Sequence, residues 1–353
     1  MPNGHAGRMF DTTLTRLLGI EVPIVQAPIA NLTSPELVAA VSNAGALGML
    51  SATWREPEEI RSLLRRTREL TDKPFGVNLV LAWDMRERLE ICLAEGVPVV
   101  SFFWGDPSPL LGPVHEAGAV AMLTVGSAAD ARIAVDQGVD ILVAQGWEAG
   151  GHVIGSVATL PLVPSVVDAA GGTPVVAAGG VADGRGLAAV LALGAAGAWI
   201  GTRFVASEEA LAHPEYKERV VQATATDTVY TSLFNVGWEG APHRVLRNST
   251  VAAWEDAGSP VTDRPGEGEA VARLPDGTDA VRYSDYEPAA DMDGEVEALA
   301  HYAGQSAGLV SAVQPAGVIV RQIAEEAAQA SQAVRDALPG GEASRDALSG
   351  GEA

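Results

Sequence analysis

Twelve consecutive residues, AQGWEAGGHVIG from Ala144 to Gly155, hold a glutamine, a glutamate, a single histidine and four glycines. They follow the apolar run DILVA. His152 is the one side chain in the stretch that titrates near neutrality, at about 6.5 when unperturbed. It could therefore take or give a proton. Glu148 could be a second acid–base group, although a carboxylate here also serves to orient a loop. A lone loop histidine is more often structural than catalytic, so its meaning depends on its surroundings.

Two other glycine sites belong to the same question. Gly179 and Gly180 end the run PVVAAGG, and Gly201 and Thr202 follow AWI. Glycine lets backbone N–H groups approach an anion closely, and a threonine hydroxyl adds a donor. The helix expected after each site would present its N-terminus to the same anion. Each site alone would suit a plain tight turn. As a pair they point to a bound phosphate. Asn78 in FGVNL and Gln145 offer side-chain amides, each both donor and acceptor. Such groups suit the mixed edge of an isoalloxazine ring, and they would equally satisfy polar groups at the end of a barrel. Ala27 and Pro28 in QAPIAN offer backbone at a comparable strand end.

The elements that would position these residues recur along the chain. Eight apolar runs read as strands: PIVQAPI, LGMLSA, FGVNLVL, PVVSFFW, AVAMLTV, ILVAQG, PVVAAGG and AWIGTRF. They are nearly continuous in apolar residues, as strands buried on both faces of a parallel sheet are. Between them lie helical segments such as SPELVAAVSNAG and SAADARIAVDQG, which open on a capping residue and close on glycine. Eight such units in about 200 residues predict an α/β fold of the (β/α)8 TIM barrel type. A doubly wound open sheet is the competing layout. In a barrel the residues singled out above all fall at the C-terminal ends of strands, where barrel chemistry sits.

The expected organisation is a barrel over residues 1–204, then a smaller appended substrate or lid domain over 205–310. A helix over 311–337 returns to the barrel, and 338–353 form a flexible tail. Within the appended domain, Glu255–Val281 reads as an irregular loop. The tail contains a near-duplicate ten-residue unit, too short to make a solenoid.

The bulk numbers exclude several roles. With 47% apolar residues among 353, a large core is possible. A net charge of −22 disfavours nucleic acid and anionic membranes. No apolar run reaches the roughly 20 residues of a membrane helix, and the opening MPNGHAGRMF lacks a signal peptide's apolar core. A cytoplasmic protein is expected. Cys92, the one cysteine, falls on the helix after the third strand and reads as a packing residue. No His, Asp and Glu spacing suggests a metal site. His115, His213 and His301 are scattered and read as surface residues. His243 with Arg244 could border a substrate entrance.

PIVQAPI, FGVNL, QGWEAGGH, VAAGGVADGRG and GTRF, in this order and spacing, resemble the nitronate monooxygenase (2-nitropropane dioxygenase-like) family of barrel enzymes. The resemblance covers roughly residues 15–250. QGWEAGGH is its most specific part, and APHRVLRN from Ala241 resembles the family's smaller domain. It implies bound FMN, held by the backbone of Ala27 and Pro28, the amides of Asn78 and Gln145, a close pass of the loop at Gly150, and a phosphate site at Gly179, Gly180, Gly201 and Thr202. His152 matches the family's active-site histidine. The glycine that follows it, in HVIGS, stands one residue later than in the family's pattern, which implies a loop longer by one residue.

The implied reaction is oxidation of alkyl nitronates, or of neutral nitroalkanes, by O2 to a carbonyl compound and nitrite. His152 would remove the α-proton of a neutral substrate or, if protonated, bind an anionic one. The same superfamily includes flavin-dependent enoyl reductases and quinone reductases, so an NAD(P)H-dependent reductase of a quinone or enoyl thioester is the alternative. A flavin-free barrel lyase or isomerase acting on a phosphorylated substrate is a third. The absence of a nucleotide-binding GxGxxG motif leans towards the first. The position of Cys92 argues against chemistry like that of inosine monophosphate dehydrogenase, which needs a cysteine after strand six. The expected partners are a small-molecule substrate and O2. A homodimer is allowed and not required.

Overall fold

A computed structural model describes residues 9–338; the tail residues from 339 on lie outside the described residues. Each of the eight apolar runs coincides with one strand of a single parallel sheet, the last strand starting one residue ahead of its run. In chain order these are Ile24–Gln26, Gly48–Ser51, Phe75–Val80, Val99–Phe103, Val120–Val125, Ile141–Gln145, Val175–Ala178 and Gly197–Ile200. Each pairs with its neighbour in sequence, and the first pairs with the last, Ile24 opposite Ala198. The circle closes between the first two strands. There the Gln26 N–H donates to Leu47 O, and the Leu47 N–H to Ile24 O, both at 2.9 Å. The fold is the expected (β/α)8 barrel. The eighth strand is shorter than its run, because the residues after Gly201 coil into the short helix Thr202–Val205.

The intervening helices begin where the capping chemistry places them. Ser34 Oγ accepts from the Leu37 N–H at 2.9 Å ahead of Pro35–Asn43. Ser127 and Asp183 do the same for Ala128–Gln137 and Gly184–Ala192. Gly138 ends the former helix at φ +92°, a left-handed conformation that glycine adopts without steric cost. Inside the barrel, Val25, Met49, Val99, Ile141 and Val143 pack together over Leu14 and Leu18 of the N-terminal helix Thr13–Leu18. That helix plugs the barrel's N-terminal end, so the open end is the one that carries the C-terminal ends of the strands.

Two features depart from expectation. Glu255–Val281 is not an irregular loop throughout. Ala270–Arg273 and Asp279–Val281 form a hairpin, closed by the Leu274 N–H donating to Thr278 O at 2.8 Å, with Val271 and Ala280 buried. Its PDG turn was in plain view. The C-terminal helix runs Ala316–Ala337 and starts after Pro315, five residues later than 311. A residue before proline avoids helical backbone, and Gln314 instead bridges to Ser207 in extended form. This helix lies across Gly184–Ala192: the Gly184 N–H donates to Glu326 Oε2 at 2.9 Å, and any Cβ on Gly184 would run into the helix backbone. Among the described residues no helix is long and apolar enough to cross a membrane.

Candidate active site

A cavity of about 800 Å³ opens at the C-terminal end of the barrel. Single small-molecule sites span roughly 300–1,000 Å³, so this one lies in the upper part of that range. Ala27, Pro28, Asn78, Gln145, Gly150, His152, Gly179, Gly201 and Thr202 all line it. Gly180 does not; it is exposed and, with Gly179, turns the chain at φ +73° and +100°.

His152 is placed by three elements. After strand six the chain turns, and Gly151–His152 pairs antiparallel with His243–Leu246 of the appended region, His152 opposite His243. The Val153 N–H donates to Pro242 O at 2.9 Å. From the barrel side, Gln145 clamps the same segment: its Nε2 donates to His152 O at 2.9 Å and its Oε1 accepts from the Ile154 N–H at 3.1 Å. Gln145 therefore spends most of its amide on the histidine's backbone and keeps one N–H for a ligand. Glu148 takes the orienting role. Both of its carboxylate oxygens accept from the Thr159 N–H at 3.1 Å, fixing the start of helix Thr159–Ala169.

Gly150 lines the cavity, and the structure adds a second requirement for glycine there. A Cβ there would strike the backbone of Ala303 and Gly304, and a Cβ on Gly304 would come 2.7 Å from Gly150 N and 2.8 Å from Glu148 O. Two bare backbones cross at this point, so glycine serves the crossing of the loop with the returning chain. Gly201 is the contrary case. Its φ is −106° and an added Cβ would meet only Ala27 Cβ, at 3.4 Å. Nothing in the protein demands glycine there, which leaves the cavity as the reason for a bare backbone.

The electrostatics are those of a dry pocket. The His152 ring stands 4.2 Å from Trp238, 5.4 Å from His243 and 5.5 Å from Tyr302 between centroids. Its Nε2 is buried without a hydrogen-bond partner. Burial, with a smaller push from His243, drives its pKa down to about 3, so the ring is neutral at physiological pH and its titration lies well below the 6.5 of an unperturbed histidine. Asp285 and Glu287 also line the cavity, and burial raises their carboxyls to about 6 and 7. Glu287 accepts from the Asn31 N–H at 2.8 Å.

The remaining candidates divide. His243 and Arg244 sit behind the wall and do not line the cavity. The His243 ring is bonded to Ala241 O and the Phe234 N–H, while Arg244 stacks 4.4 Å over Trp147 and donates to its carbonyl. His301 is not a surface residue. It is fully buried, bonded to Leu299 O and packed on Tyr216, because the chain from 299 to 304 passes beneath the appended region. His115 pairs with Asp140 on the surface, and His213 caps helix Pro214–Gln222. Cys92 is buried on helix Arg86–Ala94, its thiol pushed up to about 12. Among the described residues no group of His, Cys, Asp and Glu could hold a metal.

Sequence reading missed the aromatic wall. Trp238, Trp83 and Trp54 follow His152 in centroid steps of 4.2, 5.0 and 6.0 Å, with Trp104 5.1 Å from Trp238. A signal existed: Trp54, Trp83 and Trp104 each fall just past a barrel strand, where the site must be. Trp104 holds φ +59°, a strained conformation for such a residue and one that clusters at functional sites.

These residues fit a flavin phosphate cofactor. Ser51 Oγ on the cavity wall is buried without a partner. Asn78 donates to Ser101 at 3.3 Å and keeps its Oδ1 uncommitted. Thr202 Oγ1 accepts from the Gly304 N–H at 3.0 Å, which leaves its proton free to donate. Ala27 fits less directly, since its N–H is bonded to Ile200 O and its carbonyl to Gln26.

Comparison with known proteins agrees with this geometry. A family model described as nitronate monooxygenase matches residues 11–86 and 81–326. The (3aS,4S,5R,7aS)-5-hydroxy-7a-methyl-1-oxo-octahydro-1H-indene-4-carboxyl-CoA dehydrogenase of Mycobacterium tuberculosis is 43% identical over 69% of this chain and 68% of its own. A Staphylococcus aureus protein named probable nitronate monooxygenase is 30% identical over 90% and 98%. The structure of FabK from Thermotoga maritima, 35% identical, superposes with a TM-score of 0.79 over 93% of this chain and all of that one. The family model spans the barrel and the appended region alike, and the chain belongs to the nitronate monooxygenase family of flavin-dependent oxidoreductases.

Proposed function

We propose that the protein is an FMN-dependent oxidoreductase of neutral carbon acids, and that its substrate is an acyl thioester with a bulky apolar body. The observation that carries this is the state of His152: neutral, unpartnered at Nε2, and set at the inner end of a tryptophan wall. A neutral imidazole in a dry pocket offers no charge to hold a preformed anion. It can accept a proton as a negative charge develops beside it, when a C–H bond next to an electron-withdrawing group is broken. In the thioester case His152 takes the Cα proton, a hydride leaves Cβ, and an α,β-unsaturated thioester results. Bound FMN would supply the acceptor for that hydride. The Trp238 face, beside His152, would seat the apolar body and exclude water from the reacting carbon. The indene-carboxyl-CoA substrate in the name of the 43% identical relative supports this choice.

Oxidation of nitroalkanes or their nitronates by O2 is the second reading. The Staphylococcus aureus relative, matched over nearly its whole length, favours it. One phosphate site, formed by Gly179, Gly201 and Thr202 with the adjoining Gly180, supports FMN over FAD. Two measurements test the reading. Chromatography of the released cofactor should give FMN. Anaerobic mixing of the flavin-loaded protein with a saturated alicyclic acyl-CoA should bleach the flavin band, whereas propionate 3-nitronate should do so more slowly. Bleaching by the nitronate alone would move the assignment to the second reading, and bleaching only by NADPH would make the protein a reductase.

A further inference from the structure

The outer end of the tryptophan wall carries a feature that the chemistry at His152 does not use. Trp54 and Trp83 are 40% and 39% exposed, and they come from the loops after the second and third strands. Arg88, on the first turn of helix Arg86–Ala94, lines the cavity with them. Its Nε donates to Arg55 O at 3.1 Å, which ties the guanidinium to the residue next to Trp54. Neither terminal nitrogen of Arg88 has a hydrogen-bond or ion-pair partner among the described residues. Its neighbours are already matched: Arg86 pairs with Asp84 at 3.3 Å, and Arg55 with Glu59. In a chain of net charge −22 this is a cation without an ion-pair partner among the described residues, on the same cavity wall as two exposed indoles.

An anchored guanidinium fork matches phosphate geometry, and exposed indoles stack on heteroaromatic bases. We infer that Trp54, Trp83 and Arg88 form a subsite for the phosphorylated nucleotide end of a ligand whose other end reaches His152. Repulsion by the rest of the acidic surface is screened beyond about 8 Å at physiological ionic strength, so the local cation decides. The inference rests on the proposed reading, and it supplies what that reading lacks, a place for the handle of a coenzyme A thioester. A nicotinamide dinucleotide has the same chemistry at its adenosine end and is the other source.

Calorimetric titration of the FMN-loaded protein with coenzyme A, and separately with NADPH, tests the subsite. Coenzyme A should bind, more weakly as salt rises. Arg88→Gln should weaken it about tenfold or more and remove most of the salt dependence, while Arg88→Lys should recover part of the loss. Trp83→Ala should weaken it comparably. Retained flavin absorbance checks that each variant is folded; if Arg88→Gln loses its flavin, Trp54→Ala is read in its place. NADPH binding with the same sensitivity to Arg88 would keep the subsite and assign it to a dinucleotide. Failure of both probes to bind, or equal binding by Arg88→Gln, overturns it. Coenzyme A binding without flavin bleaching by any acyl-CoA would sink the thioester reading and leave the subsite standing. Bleaching with an unchanged KM in Arg88→Gln would do the reverse.

Discussion

At the scale of single residues, His152 and Gly201 carry the sharpest expectations. His152→Ala should lower kcat/KM for a neutral carbon acid by about 10²-fold or more, with flavin retained, since the residues proposed to hold the phosphate lie on other loops. The burial that holds the His152 pKa near 3 also sets the pH profile. The neutral form of the proposed base is fully present above pH 5, so His152 should add no inflection to kcat/KM between pH 5 and 8, and its protonation should lower activity only in stronger acid. A wild-type inflection near 6.5 that vanishes in the variant would show that the pocket does not desolvate the ring as the structure has it. Gly201→Asp tests the phosphate site. The backbone there is not left-handed and an added Cβ meets only Ala27 at 3.4 Å, so the variant should fold with unchanged circular dichroism. A carboxylate at that position should repel the phosphate, and the protein should purify without flavin. Full flavin content would remove Gly201 from the site.

At the scale of elements, what was legible in the sequence was local. The eight strands could be read because strands buried on both faces are apolar throughout, and the helices because their caps are written in Ser, Asp and Gly. The residues at the strand ends followed from the barrel's own geometry: Asn78, Gln145 and Thr202 all reach the cavity. What could not be read depends on chain crossings. Gly150 and Gly304 are 154 residues apart in sequence, yet each occupies the space that a Cβ of the other would need. His301 looked like one scattered histidine among several, and only the return of the chain at 299–304 beneath the appended region buries it. Gly304→Ala tests the crossing. It should push the 148–150 loop off the returning chain, lower thermal stability by about 1–3 kcal/mol, as overpacking typically does, and cut activity by displacing His152. A variant with wild-type melting temperature and activity would show that the loop and the returning chain are not rigidly coupled.

At the scale of the whole molecule, burial of titratable groups predicts how stability depends on pH. His152, His243 and His301 are held neutral, with pKa values pushed down to about 3, 4 and 4 from an ordinary 6.5. Between pH 6.5 and 4 the unfolded chain binds protons that the folded one refuses. Their stabilisation is therefore complete above pH 6.5 and is lost as the pH falls. Glu287 and Asp285 act in the opposite sense. Their carboxyls are raised to about 7 and 6, so the folded state holds protons that the unfolded one has released. Three histidines against two carboxyls leave about one net proton near pH 5.5, a loss of about 1.4 kcal/mol per pH unit on acidification. Glu287→Gln separates the two contributions. The amide oxygen can still accept from the Asn31 N–H, but no charge need be buried. The variant should melt higher than wild type at pH 8, match it near pH 4.5, and lose stability more steeply in between. His301→Asn, whose amide nitrogen can take the place of Nδ1 as the donor to Leu299 O, should instead flatten the acid side. Melting curves of the three proteins from pH 4.5 to 8 decide the matter. A wild-type melting temperature that rises from pH 6.5 to 5 would mean that the carboxyls, and not the histidines, dominate the buried charge balance around the cavity.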